Sequence, residues 1–138
     1  MSKEKREAFL ADVHVGVVAV AGADGAPPLA APVWYRYEPG GDVIINTGGE
    51  SVKAKLLEAA GVASFCVQSE ALPPAFVTVE GPVAVGPSDY DERLAIATRY
   101  LGPELAEGYV SSNPGEASVI VRLTPERWRT QDYQQRMG

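Results

Sequence analysis

Apolar and polar residues alternate along most of this 138-residue chain in short runs that predict β-strands. The runs are rich in valine, isoleucine and aromatic residues, and turns containing glycine or proline separate them. Pro32 predicts an edge, a bulge or a kink in the second strand, and Gly81-Pro82 predicts a bulge in the fifth. Few connections leave room for a crossover helix, so the pattern predicts a mainly β fold, an antiparallel barrel rather than a βαβ sheet. The six predicted strands cover residues 13–20, 29–37, 42–47, 62–68, 76–85 and 117–123.

Helices are expected at only a few places between these strands. Ser88, followed three residues later by Asp91, has the spacing of a capping box and predicts the start of the clearest helix. Its predicted apolar face consists of Tyr90, Leu94, Ala97 and Leu101. The other helical segments are residues 2–12, 54–60 and 104–109, and a C-terminal turn or helix after Thr124 is predicted to carry Trp128.

Length and composition indicate one globular domain, residues 1–138, with 46% apolar and 22% charged residues. The formal net charge of −6 argues against nucleic acid or an anionic membrane surface as a general partner. No apolar run is long enough to span a membrane. The single cysteine and single histidine make a disulfide framework or a zinc site implausible and favour a reducing compartment, so we expect a cytoplasmic protein.

The most informative segment is Thr47-Gly-Gly-Glu-Ser-Val-Lys-Ala-Lys55, which joins a predicted strand to a predicted helix. A glycine-containing turn there brings Ser51, Lys53 and Lys55 to a helix N-terminus, where unpaired N–H groups and the helix dipole favour an anion such as phosphate. The segment does not match the phosphate-loop consensus. A capped helix with two solvated lysines therefore remains the alternative interpretation.

Five segments in a fixed order carry a resemblance to a known family. They are Pro-Val-Trp-Tyr (32–35), Val-Ile-Ile-Asn-Thr (43–47), Ser-Val-Lys-Ala-Lys-Leu-Leu (51–57), Val-Thr-Val-Glu-Gly-Pro-Val (77–83) and Pro-Glu-Arg-Trp-Arg (125–129). The set resembles the pyridoxamine 5′-phosphate oxidase-like split β-barrel superfamily, and within it the small actinobacterial flavin/deazaflavin oxidoreductases. The resemblance covers roughly residues 8–133.

This resemblance implies a homodimer of FMN-binding-type split β-barrels, with two cofactor sites at the interface. In it, Lys53 and Lys55 would hold the cofactor phosphate, and Ser51 and Thr47 would supply hydroxyl groups. The remaining implied contacts are the backbone of Ala31, Pro32, Val33 and Trp34 along the tricyclic ring, and Trp128 and Arg129 near the site, in the same chain or on the partner subunit.

The C-terminus lacks the tail, rich in arginine and aromatic residues, that the resemblance would require for a true pyridoxamine-phosphate oxidase. The resemblance therefore implies a reductase or dehydrogenase that uses the deazaflavin coenzyme F420, with FMN as the alternative, and transfers hydride to a small conjugated substrate. The sequence identifies no catalytic residue. Two other functions stay open: a non-catalytic protein that binds a flavin, a deazaflavin or haem, and an interaction dimer without a cofactor.

Several single residues have an ordinary structural interpretation beside a functional one. His14 is expected to be a satisfied strand residue, because no nucleophile or acid partner is evident. Cys66 is expected to be a small buried hydrophobe. Tyr35 and Tyr37 are expected in the barrel, although either could donate a proton. Trp34 could pack in the core or border the cofactor ring.

Overall fold

The computed structural model describes residues 1–113 and 117–133, and within them it contains seven strands and four α-helices. The helices are α1 (Lys3–Ala11), α2 (Val52–Ala60), α3 (Tyr90–Leu101) and α4 (Pro103–Ser112). The strands are β1 (Gly16–Val20), β2 (Leu29–Val33), β3 (Val43–Gly48), β4 (Val62–Ser69), β5 (Ala75–Pro87), β6 (Ser118–Leu123) and β7 (Arg127–Asp132). None of the helices in the described part of the chain is both long and apolar enough to cross a membrane.

All strand pairs are antiparallel, and the strand order is β2-β1-β4-β5-β6-β3, with β7 also paired to β5. The 13-residue β5 belongs to two sheets, because its first half pairs with β7 and its second half with β6. A single bridge between Arg36 and Ile44 joins the chain after β2 to β3. The sheet therefore curls into the split β-barrel that the sequence predicted.

Gly81 lies where β5 changes its partner from β7 to β6. A Cβ atom at this position would lie 1.8 Å from the carbonyl oxygen of Thr124, so only glycine permits this approach of the β6–β7 connection. The predicted bulge at Gly81-Pro82 is wrong, since the register with β4 runs through both residues without interruption.

The predicted C-terminal turn or helix is also wrong, because Trp128 lies in β7. Its segment, Arg-Trp-Arg-Thr-Gln-Asp, has little strand-like patterning of its own. The free edge of β5 supplies backbone partners from Ala75 to Glu80, and this tertiary pairing overrides the weak local preference.

The core fills the concave side of the sheet with alternate strand residues. In β4, for example, Ala63, Phe65 and Val67 are buried, and Phe65 packs edge-on against Tyr35 with ring centroids 4.8 Å apart. Tyr35 and Tyr37 are buried in this core, as predicted. The prediction for Cys66 is wrong: it is only partly buried, since it alternates with inward-facing neighbours and lies on the outer face of the sheet.

The start of α3 differs from the prediction by one residue. Asp89, rather than Ser88, is the N-cap, and its carboxylate accepts the N–H of Glu92 at 2.8 Å. The predicted apolar face is partly wrong, because Ile96 and Ala97 are the buried residues whereas Tyr90 is 43% exposed. The helix packs against the barrel through a face rotated from the one that simple apolar periodicity suggests.

Candidate functional site

A cavity of about 270 Å³ lies where the end of β2, strand β3, the start of α2 and the α3–α4 helix pair come together. It is open to solvent on one side. The lining residues are Pro32, Val33, Trp34, Asn46, Lys53, Arg93, Ile96, Ala97, Tyr109, Val110 and Asn113. Four of the residues that the sequence assigned to a cofactor site, Pro32, Val33, Trp34 and Lys53, therefore lie together.

Aromatic rings form one wall of this cavity. Trp34 stacks on Tyr100, with ring centroids 4.7 Å apart and an interplanar angle of 9°. Tyr109 of α4 tilts against the same indole at 5.8 Å and 41°. Tyr100 is itself fixed, because its hydroxyl donates to the carbonyl of His14 at 2.7 Å and accepts the N–H of Tyr35 at 3.1 Å. The result is a flat and rigid apolar surface beside the strand ends.

Two cations line the cavity, and none of its described lining residues is a carboxylate. Lys53 forms no ion pair with any described residue. Arg93 donates to two carbonyl oxygens, that of Asp89 at 3.3 Å and that of Asn113 at 3.2 Å, but to no described carboxylate. In a chain with a formal net charge of −6, this local excess of positive charge favours an anionic ligand.

Lys55 lies apart from this cavity. Its ammonium group pairs with Glu50 at 3.2 Å, and both side chains are exposed. Lys53 and Lys55 are two positions apart on α2, which places them about 200° apart around the helix. The structure therefore brings Lys53, but not Lys55, to the cavity.

The two hydroxyl residues of the predicted site have different environments. Ser51 is the N-cap of α2: its Oγ accepts the N–H of Ala54 at 3.1 Å and donates to the carbonyl of Gly48 at 2.7 Å. Thr47 is buried and faces away from the cavity, whereas its neighbour Asn46 lines it. The Asn46 side chain is held by Ser88, which donates to its Oδ1 at 2.5 Å.

Strand β2 lies at the end of the strand order, and one of its edges has no strand partner in the described chain. Pro32 pairs with Val17 of β1, and because proline has no N–H this must be a non-hydrogen-bonded pair. The carbonyl of Pro32 and the backbone groups of Ala30 therefore point to the free edge. Ala31 and Val33 bond to β1 instead, and Ala31 packs against the core.

Trp128 and Arg129 do not reach the cavity within this chain. Trp128 packs beneath the guanidinium of Arg6, which lies 4.6 Å from its ring centroid. Arg129 donates to the carboxylate of Glu80 at 2.7 Å on the outer face of the sheet, and this bond lowers the pKa of Glu80. Because neighbouring strand residues face opposite sides, Trp128 lies on the core side of β7 and Arg129 on the outer side.

The sequence analysis missed four polar or aromatic lining residues: Asn46, Arg93, Tyr109 and Asn113. Asn46 could have been found, because it precedes Thr47 at the end of a predicted strand and must face the opposite side. The other three lie on α3 and at α4, and no local pattern indicates that this helix pair covers the end of β2. No group of three or more potential metal ligands occurs in the described residues.

Residues 2–132 match the sequence model of the family described as pyridoxamine 5′-phosphate oxidase. The chain belongs to the pyridoxamine 5′-phosphate oxidase family. None of the curated protein sequences matches it.

Several solved structures have a similar fold. The conserved hypothetical protein Rv2991 of Mycobacterium tuberculosis has a TM-score of 0.84 and 23% identity, over 100% of this chain and 89% of that protein. A protein named F420 reductase has a TM-score of 0.75 and 20% identity, over 89% of this chain and 94% of its own. An FAD and heme binding protein of Mycobacterium smegmatis has a TM-score of 0.70 and 19% identity, over 94% of this chain and 70% of that protein. At these identities, the likeness shows a shared fold.

Proposed function

We propose that this chain is a flavin- or deazaflavin-dependent oxidoreductase that transfers hydride to a small conjugated organic substrate. The observation that carries the proposal is the cavity, which combines a flat aromatic wall, a free strand edge and two cations without a carboxylate. A planar ring with a phosphate-bearing side chain matches these three features. A cofactor of this class supplies the hydride chemistry when bound, and the protein supplies position and electrostatics.

The described residues fit such a group in distinct roles. Lys53, near the N-terminus of α2, would bind the phosphate, since this end of the helix also carries a positive dipole. The free edge of β2 offers the carbonyl of Pro32 and the backbone of Ala30 to the polar edge of the ring. Trp34, braced by Tyr100, would border the ring and keep water from the reacting face.

We further propose that the chain acts as a homodimer. The cavity of about 270 Å³ is slightly below the usual range of about 300–1,000 Å³ for ligand pockets, so a whole flavin nucleotide would extend beyond one chain. The outer face of β2-β1-β4 carries uncharged side chains in register, including Pro32, Val17 and Cys66 in one row. Val17 and Val62 on this face are 39% and 59% exposed. A second chain on this face could bring Trp128 and Arg129 towards the partner's cavity.

Between the two cofactor classes, we propose coenzyme F420 first and FMN second. The similar fold of a protein named F420 reductase supports this order. A deazaflavin exchanges hydride and reacts poorly with oxygen, so the expected activity is a reductase or dehydrogenase rather than an oxidase.

Cofactor titration tests the proposal directly. We expect the purified protein to bind F420 or FMN, and Lys53→Gln to weaken the binding at least about tenfold, because a charge-assisted hydrogen bond contributes roughly 1.5–3 kcal/mol. The matched control is Lys3→Gln, which removes one positive charge from the exposed start of α1, outside the cavity. Wild-type protein that binds neither cofactor would refute the proposal, and sedimentation as a monomer at micromolar concentration would refute the dimer.

A non-catalytic binding protein is the second candidate. The similar fold of an FAD and heme binding protein favours it, and so does the lack of a free proton donor at Tyr35, whose hydroxyl is committed to the carbonyl of Leu10 at 2.6 Å. Turnover of reduced cofactor with a panel of quinone and conjugated carbonyl acceptors distinguishes an oxidoreductase from a binding protein. Tight binding without any acceptor-dependent oxidation would establish the binding role.

A further inference from the structure

We propose that Arg93 of α3 binds the cofactor phosphate together with Lys53, in the role that the resemblance implied for Lys55. This inference rests on the proposed function, because it names a second phosphate contact in the same site. Arg93 lies outside the five short segments on which the sequence resemblance rests. It is the only other cation in the lining of the described cavity.

Two hydrogen bonds and a ring contact hold the guanidinium of Arg93, whose Cζ lies 6.0 Å from the Tyr90 ring centroid. Its Nε donates to the carbonyl of Asp89 and its Nη1 to the carbonyl of Asn113, so it joins the start of α3 to the end of α4. Its Nη2 donates to no described residue. A guanidinium that is fixed on one side and free on the other can present its remaining N–H groups to phosphate oxygens without much loss of rotamer entropy.

The charges of the cavity give a second, independent argument. Arg93 and Lys53 line the same small space, and no carboxylate in the described part of the chain pairs with either of them. Two uncompensated cations repel each other, and a phosphate between them turns this repulsion into two attractions. The charge of Lys55 is already compensated, because Glu50 pairs with it.

The test compares each phosphorylated cofactor with its phosphate-free counterpart: FMN with riboflavin, and F420 with the deazaflavin nucleoside. For FMN, the dissociation constant of riboflavin divided by that of FMN reports the phosphate contacts alone, and for F420 the corresponding ratio also includes its acidic tail. We expect Arg93→Gln to lower this ratio about tenfold, and Lys53→Gln to do the same, with Lys3→Gln as the charge-matched control. Binding of the phosphate-free ligand should stay within about twofold, which also verifies that the Arg93→Gln variant keeps a folded site.

The outcomes separate this inference from the proposed function. If Lys53→Gln lowers the ratio and Arg93→Gln does not, the inference is wrong and the cofactor site stands. If Arg93→Gln weakens both ligands equally, Arg93 acts on the ring or the helix pair, and the inference is again wrong. If the wild-type protein binds no phosphorylated cofactor, the proposed function itself fails. Arg93→Lys, which keeps the charge but loses the fork of donors, should retain part of the phosphate preference.

Discussion

Replacing Tyr100 by phenylalanine tests how much its hydroxyl group stabilises the fold around the cavity. The Tyr100 hydroxyl donates to the carbonyl of His14 at 2.7 Å and accepts the N–H of Tyr35 at 3.1 Å. Its ring supports the indole of Trp34 at 4.7 Å. Burial raises the pKa of Tyr100, so the hydroxyl stays protonated and keeps both bonds at neutral pH. Tyr100→Phe removes the bonds and keeps the ring.

The expected loss follows from these contacts. Each neutral hydrogen bond contributes about 0.5–1.5 kcal/mol net, so two give about 1–3 kcal/mol. Tyr100 is half-buried, and water can replace part of the loss, which places the expectation for Tyr100→Phe at about 1–2 kcal/mol. Tyr100→Leu also removes an aromatic stack worth about 0.5–1.5 kcal/mol, so it should cost about 1 kcal/mol more.

Urea unfolding followed by circular dichroism measures these losses, provided that the m-value stays unchanged. Tyr109→Phe is the matched control, because the Tyr109 hydroxyl bonds to no described residue. We also expect Tyr100→Phe to leave cofactor affinity within about twofold and Tyr100→Leu to weaken it, since only the latter releases Trp34. A Tyr100→Phe loss no larger than that of the Tyr109 control would refute the reasoning.

Three further predictions concern the fold. Gly81→Ala should cost at least about 3 kcal/mol, because its Cβ would lie 1.8 Å from the carbonyl oxygen of Thr124; an unchanged urea midpoint would contradict this. Burial raises the pKa of Tyr35, so this group's contribution to the free energy of unfolding is complete below about pH 10. Above that pH the contribution declines by up to about 1.4 kcal/mol per pH unit. Tyr35→Phe should flatten this slope in urea titrations at alkaline pH. Glu92→Gln should cost about 2 kcal/mol because it weakens the ion pair with Arg36 at 2.7 Å, and thermal melting at neutral pH would show the loss.

Local patterning was sufficient for most of the barrel. The β-branched runs predict six of the seven strands. The seventh strand could not be predicted in this way. Its residues 127–132 are largely charged or polar, and they become a strand only because β5 is long enough to offer a second set of backbone partners.

In the candidate site, too, local patterns predict some features, and long-range packing determines the others. The glycine turn and Ser51 cap predict the start of α2, and the strand before it predicts where the helix lies. Which of Lys53 and Lys55 faces the cavity depends on where the α3–α4 pair lies, and that is a long-range property of packing. The sequence therefore identified the segment, while the second cation, Arg93, became visible only when α3 was placed beside it.

The acidic character of the chain strengthens the case for a specific anion site. A net charge of −6 repels anions at long range, but at physiological salt this field is screened beyond about 8–10 Å. Within the cavity, Lys53 and Arg93 act over shorter distances, where screening is weaker. A net negative charge with a local pair of cations would disfavour polyanions such as nucleic acid and still favour one phosphate at one place, as the proposed nucleotide-type cofactor site requires.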